Sequence, residues 1–125
     1  MKHLFLNKHL SLLAKEKGFD NPCLAIYTPE GNFQHLLHID GNDKFFSFNN
    51  SGCISETCTA PLYQQIIDWF EIEHQIYIYT FKYIGRWNWK IDTEIIIGLF
   101  NKGEGFDNKY EALNKAIEEA FKLIN

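Results

Sequence analysis

From Ile76 to Asp92 the chain alternates almost without a break. A two-residue period sends successive side chains to opposite faces of a strand. Gly85-Arg86 interrupts the pattern midway and supplies a two-residue turn with glycine at its first central position. The segment therefore predicts an antiparallel hairpin. On this register Ile84 faces Trp87, Lys82 faces Trp89, Thr80 faces Ile91 and Ile78 faces Thr93. One face then carries Ile76, Ile78, Thr80, Ile84, Trp87, Trp89 and Ile91. The other carries Tyr77, Tyr79, Phe81 and Tyr83 beside Asn88, Lys90 and Asp92. The Ile/Trp face is apolar enough to demand a covering layer of helices. Lys82 falls on that side and has to reach out along its stem to water. A one-residue change of register would reverse the two faces.

Helical periodicity flanks this hairpin. Thr59-Ala60-Pro61 reads as a helix start, with Thr59 as cap and proline in the first turn. Leu62, Tyr63, Ile66, Ile67, Trp69 and Phe70 form its apolar stripe, which ends near His74. After a third apolar run, Glu94 to Phe100, comes a loop over 101–105. Asn108 and Glu111 have capping-box spacing, and Leu113, Ile117, Ala120, Phe121 and Ile124 mark a C-terminal helix. The order from Thr59 onward is α-β-β-β-α. Upstream, Leu6, Leu10, Leu13 and Ala14 predict a helix that Gly18 ends. Cys23–Thr28 and Phe33–Ile39 predict a hairpin turning at Glu30-Gly31-Asn32. Asp40 to Thr59 reads as a loop around a short Phe45–Phe48 strand. The fold class expected is α+β, an antiparallel sheet with helices mainly on one face. The 125 residues fit a single domain, 1–125, and the Asn/Gly-rich stretch near 40–58 is the one candidate boundary.

Charge narrows the partners. Lys and Arg total 12 against 16 Asp and Glu, and Arg86 is the sole arginine. Duplex nucleic acid is held by clustered cations that this chain lacks. The α-β-β-β-α order matches that of double-stranded RNA-binding domains, but those need phosphate-contacting lysines at the last helix. Here that helix follows Asp107, with Lys109 the one nearby cation. No segment approaches the ~18–20 apolar residues of a membrane span, and the N-terminal apolar run is too short for a secretory signal. Cys23, Cys53 and Cys58 read as free thiols of a reducing compartment, so the expected location is cytoplasmic.

Three segments carry a resemblance: Leu13-Ala14-Lys15-Glu16-Lys17-Gly18-Phe19-Asp20-Asn21-Pro22-Cys23, Thr59-Ala60-Pro61-Leu62-Tyr63-Gln64-Gln65-Ile66-Ile67-Asp68-Trp69-Phe70, and Tyr110-Glu111-Ala112-Leu113-Asn114-Lys115-Ala116-Ile117-Glu118-Glu119-Ala120. In the same order and over most of the chain, they resemble a family of small uncharacterised proteins encoded by bacteriophages and prophages. The resemblance implies a bacterial cytoplasm during phage or prophage gene expression. It brings no activity, cofactor or site residue with it.

Candidate chemistry is sparse. Cys53-x4-Cys58 with His35-x2-His38 has near-ligand spacing for zinc, but residues three apart on a strand point to opposite faces. Asp68, Glu71 and His74 share one helix side, and Glu71-x-x-His74 is half of a di-iron helix motif whose second copy is absent. No activating motif surrounds any cysteine, and Gly103-Glu104-Gly105 lacks the lysine of a phosphate loop. No catalytic residue, metal ligand or cofactor is therefore assigned. The hairpin's aromatic face remains. Aromatics make up 16% of the chain, and rings among polar groups suit a partly wet contact surface. The competing reading has the N-terminal half cover these tyrosines as core. The function expected is a non-catalytic interaction protein that binds a protein partner or itself through Tyr77, Tyr79, Phe81, Tyr83 and Lys90. The alternative is a single-stranded nucleic-acid binder stacking bases on the same rings. A small metal-dependent or hydrolytic enzyme comes third.

Overall fold

The computed structural model describes residues 2–35, 48–54, 56–101, 103 and 105–124. The fold is α+β, with three α-helices and two antiparallel three-stranded sheets among the described residues. The chain forms two compact units, Met1–Gln65 and Ile66–Asn125. The boundary lies inside a helix rather than in the Asn/Gly-rich stretch.

The first unit opens with helix α1, Lys8–Glu16. The Asn7 side chain caps it by accepting the Leu10 N–H at 2.9 Å. At the other end Gly18 takes φ +96, a left-handed conformation that glycine reaches at no steric cost. This lets the Gly18 N–H reach the Lys15 carbonyl and the Phe19 N–H reach the Ala14 carbonyl, which closes the helix in a Schellman motif. Strands β1 (Ala25–Tyr27), β2 (Phe33–His35) and β3 (Cys58–Thr59) form a sheet in the order β2-β1-β3. The Thr28–Asn32 turn sits where the sequence places it, with Gly31 at φ +91. His38, Ile39 and Phe45 to Ser47 lie outside the described residues; Phe48 bridges Cys23. Phe5, Ala25, Tyr27, Cys58 and Ala60 form this unit's core, with Leu12, Phe33 and Leu62 packed on it.

The expected helix start at Thr59 is corrected. Thr59 pairs with Ile26 in the sheet, and its N–H is taken by the buried Asn50 side chain at 2.9 Å. Helix α2 begins four residues later and runs Tyr63–His74. Its start is closed from inside: Gln65 Oε1 accepts the Leu62 N–H at 2.9 Å, which is one half of a capping box. Long-range pairing with β1 outcompetes the local cap signal of Thr-Ala-Pro.

In the second unit β4 (Tyr77–Tyr83), β5 (Arg86–Asp92) and β6 (Leu99–Phe100) lie in the order β4-β5-β6. Helix α3, Lys109–Lys122, packs on β4 and β5. Asn108 caps it, accepting the Glu111 N–H. Ala112, Leu113, Ala116, Ile117, Ala120 and Phe121 form its buried face, and the Phe121 ring meets Phe70 of α2 at 4.9 Å. The third apolar run is a strand only at its end. The Thr93 hydroxyl accepts the N–H groups of Ile95 and Ile96 and turns the chain there.

The hairpin turn is also corrected. Tyr83 pairs with Arg86, Lys82 with Trp87 and Ile78 with Ile91. The central turn residues are therefore Ile84 and Gly85, at φ +49 and +74. Positive φ at both is the mark of a type I′ turn, whose twist matches the flanking strands. Every pair slides by two residues from the expected register, so the same side chains still share each face. The slide places Ile78 against Ile91 instead of Thr93.

Candidate interaction surface

Alternation along β4 is the starting point. Ile78 is buried on the side that meets α3, as are Trp89 and Ile91 of β5. Tyr79, Phe81 and Tyr83 point the other way and stay 48%, 38% and 65% exposed. Tyr77 lies on the same face and is half-buried. Lys82, on the helix side near the hairpin tip, is exposed.

The cross-strand partners of these rings are polar. Tyr79 faces Lys90, Phe81 faces Asn88 and Tyr83 faces Arg86. The Lys90 ammonium lies 5.7 Å from the Tyr79 ring centroid, within range of the attraction between a cation and a ring face. It also pairs with Asp92 at 3.3 Å. Arg86 is paired with Asp107 and donates to the Gly105 carbonyl. One step further across the sheet, Phe100 is 50% exposed and pairs with Lys90. Tyr79, Lys90 and Phe100 thus form a row over three strands: two exposed rings with a cation between them. Phe100 and Arg86 belong to this surface and are absent from the face read from the sequence, which does include Asp92. The apolar run 94–100 carries no alternation that would have assigned Phe100 a face.

Gly105 holds the border of this surface. A Cβ there would come within 2.9 Å of the Trp87 carbonyl and 3.0 Å of the Arg86 Cβ, and its φ is +88. Gly105 is thus a point of close backbone approach beside the bridge between Phe106 and Trp87. Next to it a cleft of about 360 Å³ is lined by Trp89, Leu99, Phe100, Asn101, Phe106 and Lys115 among others.

Burial pushes the Cys23 and Cys58 thiols up to about 11 and raises Cys53 as well, so all three stay protonated near neutral pH. Asp68 and Glu71 are exposed on α2, while the His74 ring meets Trp69 edge-on at 4.7 Å. His35 stacks on Phe33, and His38 lies outside the described residues. Among the described residues no group of three His, Cys, Asp or Glu converges as metal ligands, and no helix is long and apolar enough to cross a membrane. No family model, curated protein or solved structure matches the chain.

Proposed function

We propose that this chain is a non-catalytic interaction protein that binds protein, a second copy included, through the β4–β5 face. The setting we propose, from the resemblance of its three segments, is phage or prophage gene expression in a bacterial cytoplasm. One observation carries the reading: Tyr79, Phe81 and Tyr83 are exposed on a sheet whose opposite face buries Trp89 and Ile91. Tyrosines offer broad, stiff contact area with a hydroxyl at the rim and lose little entropy on binding. Among the described residues both cations on the face are already paired, Lys90 with Asp92 and Arg86 with Asp107. That favours a protein over a phosphate backbone.

The test is a double variant, Tyr79→Ser with Tyr83→Ser. Both rings are exposed, so melting should move by no more than a few degrees. Association measured by sedimentation should weaken at least tenfold. Unchanged association, or a large loss of stability, removes the reading. Binding of a labelled single-stranded oligonucleotide that falls steeply with added salt would replace it with the nucleic-acid alternative.

A further inference from the structure

Strand β4 is an edge of its sheet, with β5 on one side and no strand on the other among the described residues. The hydrogen-bond phase follows from the turn. Tyr83 and Arg86 close a two-residue hairpin and exchange both main-chain bonds, so Tyr77, Tyr79 and Phe81 also bond inward to β5. The N–H and C=O groups of Ile78, Thr80 and Lys82 therefore point outward. The same phase appears across β5, where Trp87 bonds Phe106 on the side away from β4. An unpaired edge seven residues long is a template for another strand. Sheets commonly blunt such edges with proline, bulges or inward charges; β4 has no proline and pairs with β5 in unbroken register, and its one charge, Lys82, is on the helix side but exposed at the hairpin tip.

The sequence of this edge names its occupant. Tyr77-Ile78-Tyr79-Thr80-Phe81-Lys82-Tyr83 is nearly palindromic about Thr80. Tyrosine stands at both ends, a ring stands on each side of the centre, and Ile78 mirrors Lys82. We propose that two copies of this chain pair antiparallel through β4, with Thr80 on the two-fold axis, to give one continuous six-stranded sheet. This deepens the previous reading by naming the partner, and it rests on that reading for the aromatic face.

In this pairing every outward main-chain group of Ile78, Thr80 and Lys82 finds a counterpart. Thr80 bonds its own copy, and Ile78 bonds Lys82 of the second chain. The rings fall at the non-hydrogen-bonded positions, where opposing side chains approach closest. Tyr79 then meets Phe81 of the second copy and Tyr77 meets Tyr83, pairs of the kind that stabilise sheets beyond their hydrogen bonds. On the helix side the Lys82 stem covers Ile78. The two Lys82 ammoniums stay about four residues apart along the strand, so like charges do not oppose each other. The contact is isologous and closes at two copies, as a two-fold interface does.

Register-specific crosslinking tests this. Residues facing across the axis have Cα atoms about 5.5 Å apart, inside the ~4.4–6.8 Å window of a disulfide. Thr80→Cys, placed in a Cys53→Ser background and treated with oxidised glutathione, should give a covalent dimer of twice 14.7 kDa. Lys82→Cys, whose copies would lie about 14 Å apart, should give no covalent dimer, and neither should the Cys53→Ser background alone. Thr80→Pro removes an outward N–H without touching the ladder to β5, and it should shift the unoxidised protein from dimer to monomer in sedimentation. A monomeric parent at high concentration, or equal crosslinking at 80 and 82, overturns the pairing. A dimer that yields to the Tyr79/Tyr83 double variant but does not crosslink through Thr80→Cys also overturns it and leaves the face reading standing. Crosslinking at Thr80 alone, with the double variant dimerising normally, supports the pairing and removes the face reading instead.

Discussion

Single side chains do structural work in the first unit that their types only hint at. Lys15 ends its reach at three carbonyls, those of Cys53, Ile54 and Thr57, at 3.5, 3.0 and 2.7 Å. One ammonium thus gathers the chain on both sides of residue 55. Its charge also lowers the Cys53 and Cys58 thiols, though burial outweighs it at both. Lys15→Met would keep the stem and strand the carbonyls. Hydrogen bonds to charged groups are worth about 1.5–3 kcal/mol, so a loss near the lower figure is expected because the site is only part-buried. Urea unfolding measures it. Asn50 plays a similar part from deeper in: its amide donates to the Phe19 carbonyl at 2.7 Å and accepts from Thr59 at 2.9 Å. In the sequence both residues look like surface chemistry, one a helix lysine and the other a turn asparagine. Their partners are tens of residues or a whole strand away, and no local pattern encodes that.

The elements themselves divide along the same line. The exit of α1 and the start of α3 are legible because their signals are local: Gly18 sits at the exit, and Asn108 sits three residues before the N–H it accepts. Asn7 caps α1 in the same way, but the apolar periodicity runs past it to Leu6 and hides that start. The two faces of the β4–β5 hairpin are legible too, because the period of two survives a slide of two. The turn is not legible. A type I′ turn is expected at Asn-Gly, and here its first position holds Ile84 at φ +49. A β-branched residue in that region carries about 1–3 kcal/mol of strain, so local preference argued for shifting the turn one residue on. Ladder pairing of Ile78 with Ile91 and Tyr79 with Lys90 overrides it. Ile84 is 82% exposed and loses nothing by replacement. Ile84→Asn should therefore stabilise the hairpin by about 1 kcal/mol, seen as a rise of several degrees in melting temperature for a small domain. A fall would mean that the isoleucine makes a contact worth more than its strain. The C-terminal helix offers the opposite case. Phe121 is 2% exposed against Phe70, and Phe121→Ala should cost about 3–5 kcal/mol. Unchanged melting would show that α3 does not pack.

At the scale of the whole chain, the two compact units share one helix, since the boundary between Gln65 and Ile66 lies within α2. A helix cut in its interior loses hydrogen bonds on both sides of the cut, so we expect the units to unfold together as one domain. Their probes are already separate. All three tryptophans, Trp69, Trp87 and Trp89, lie in the second unit, and all three cysteines lie in the first. The largest upward shifts lie in the first unit. Burial raises Cys23 and Cys58 from the usual 9.0 to about 11 and Tyr27 from 10.0 to about 12. Each group binds its proton more tightly folded than unfolded. Its contribution is complete below pH 9, erodes as the unfolded state ionises first, and is gone once pH passes the folded value. Stability should thus fall steadily between about pH 9 and 12, and Cys23→Ala should flatten part of that slope. Raising pH while following tryptophan emission and thiol exposure in one sample then tests the shared helix. A single domain requires both signals to change at the same pH, although the large upward shifts all belong to the first unit. Thiols that become reactive while tryptophan emission stays native would show that the first unit opens alone, and that α2 can fray back to Ile66 without bringing the β4–β5 sheet down with it.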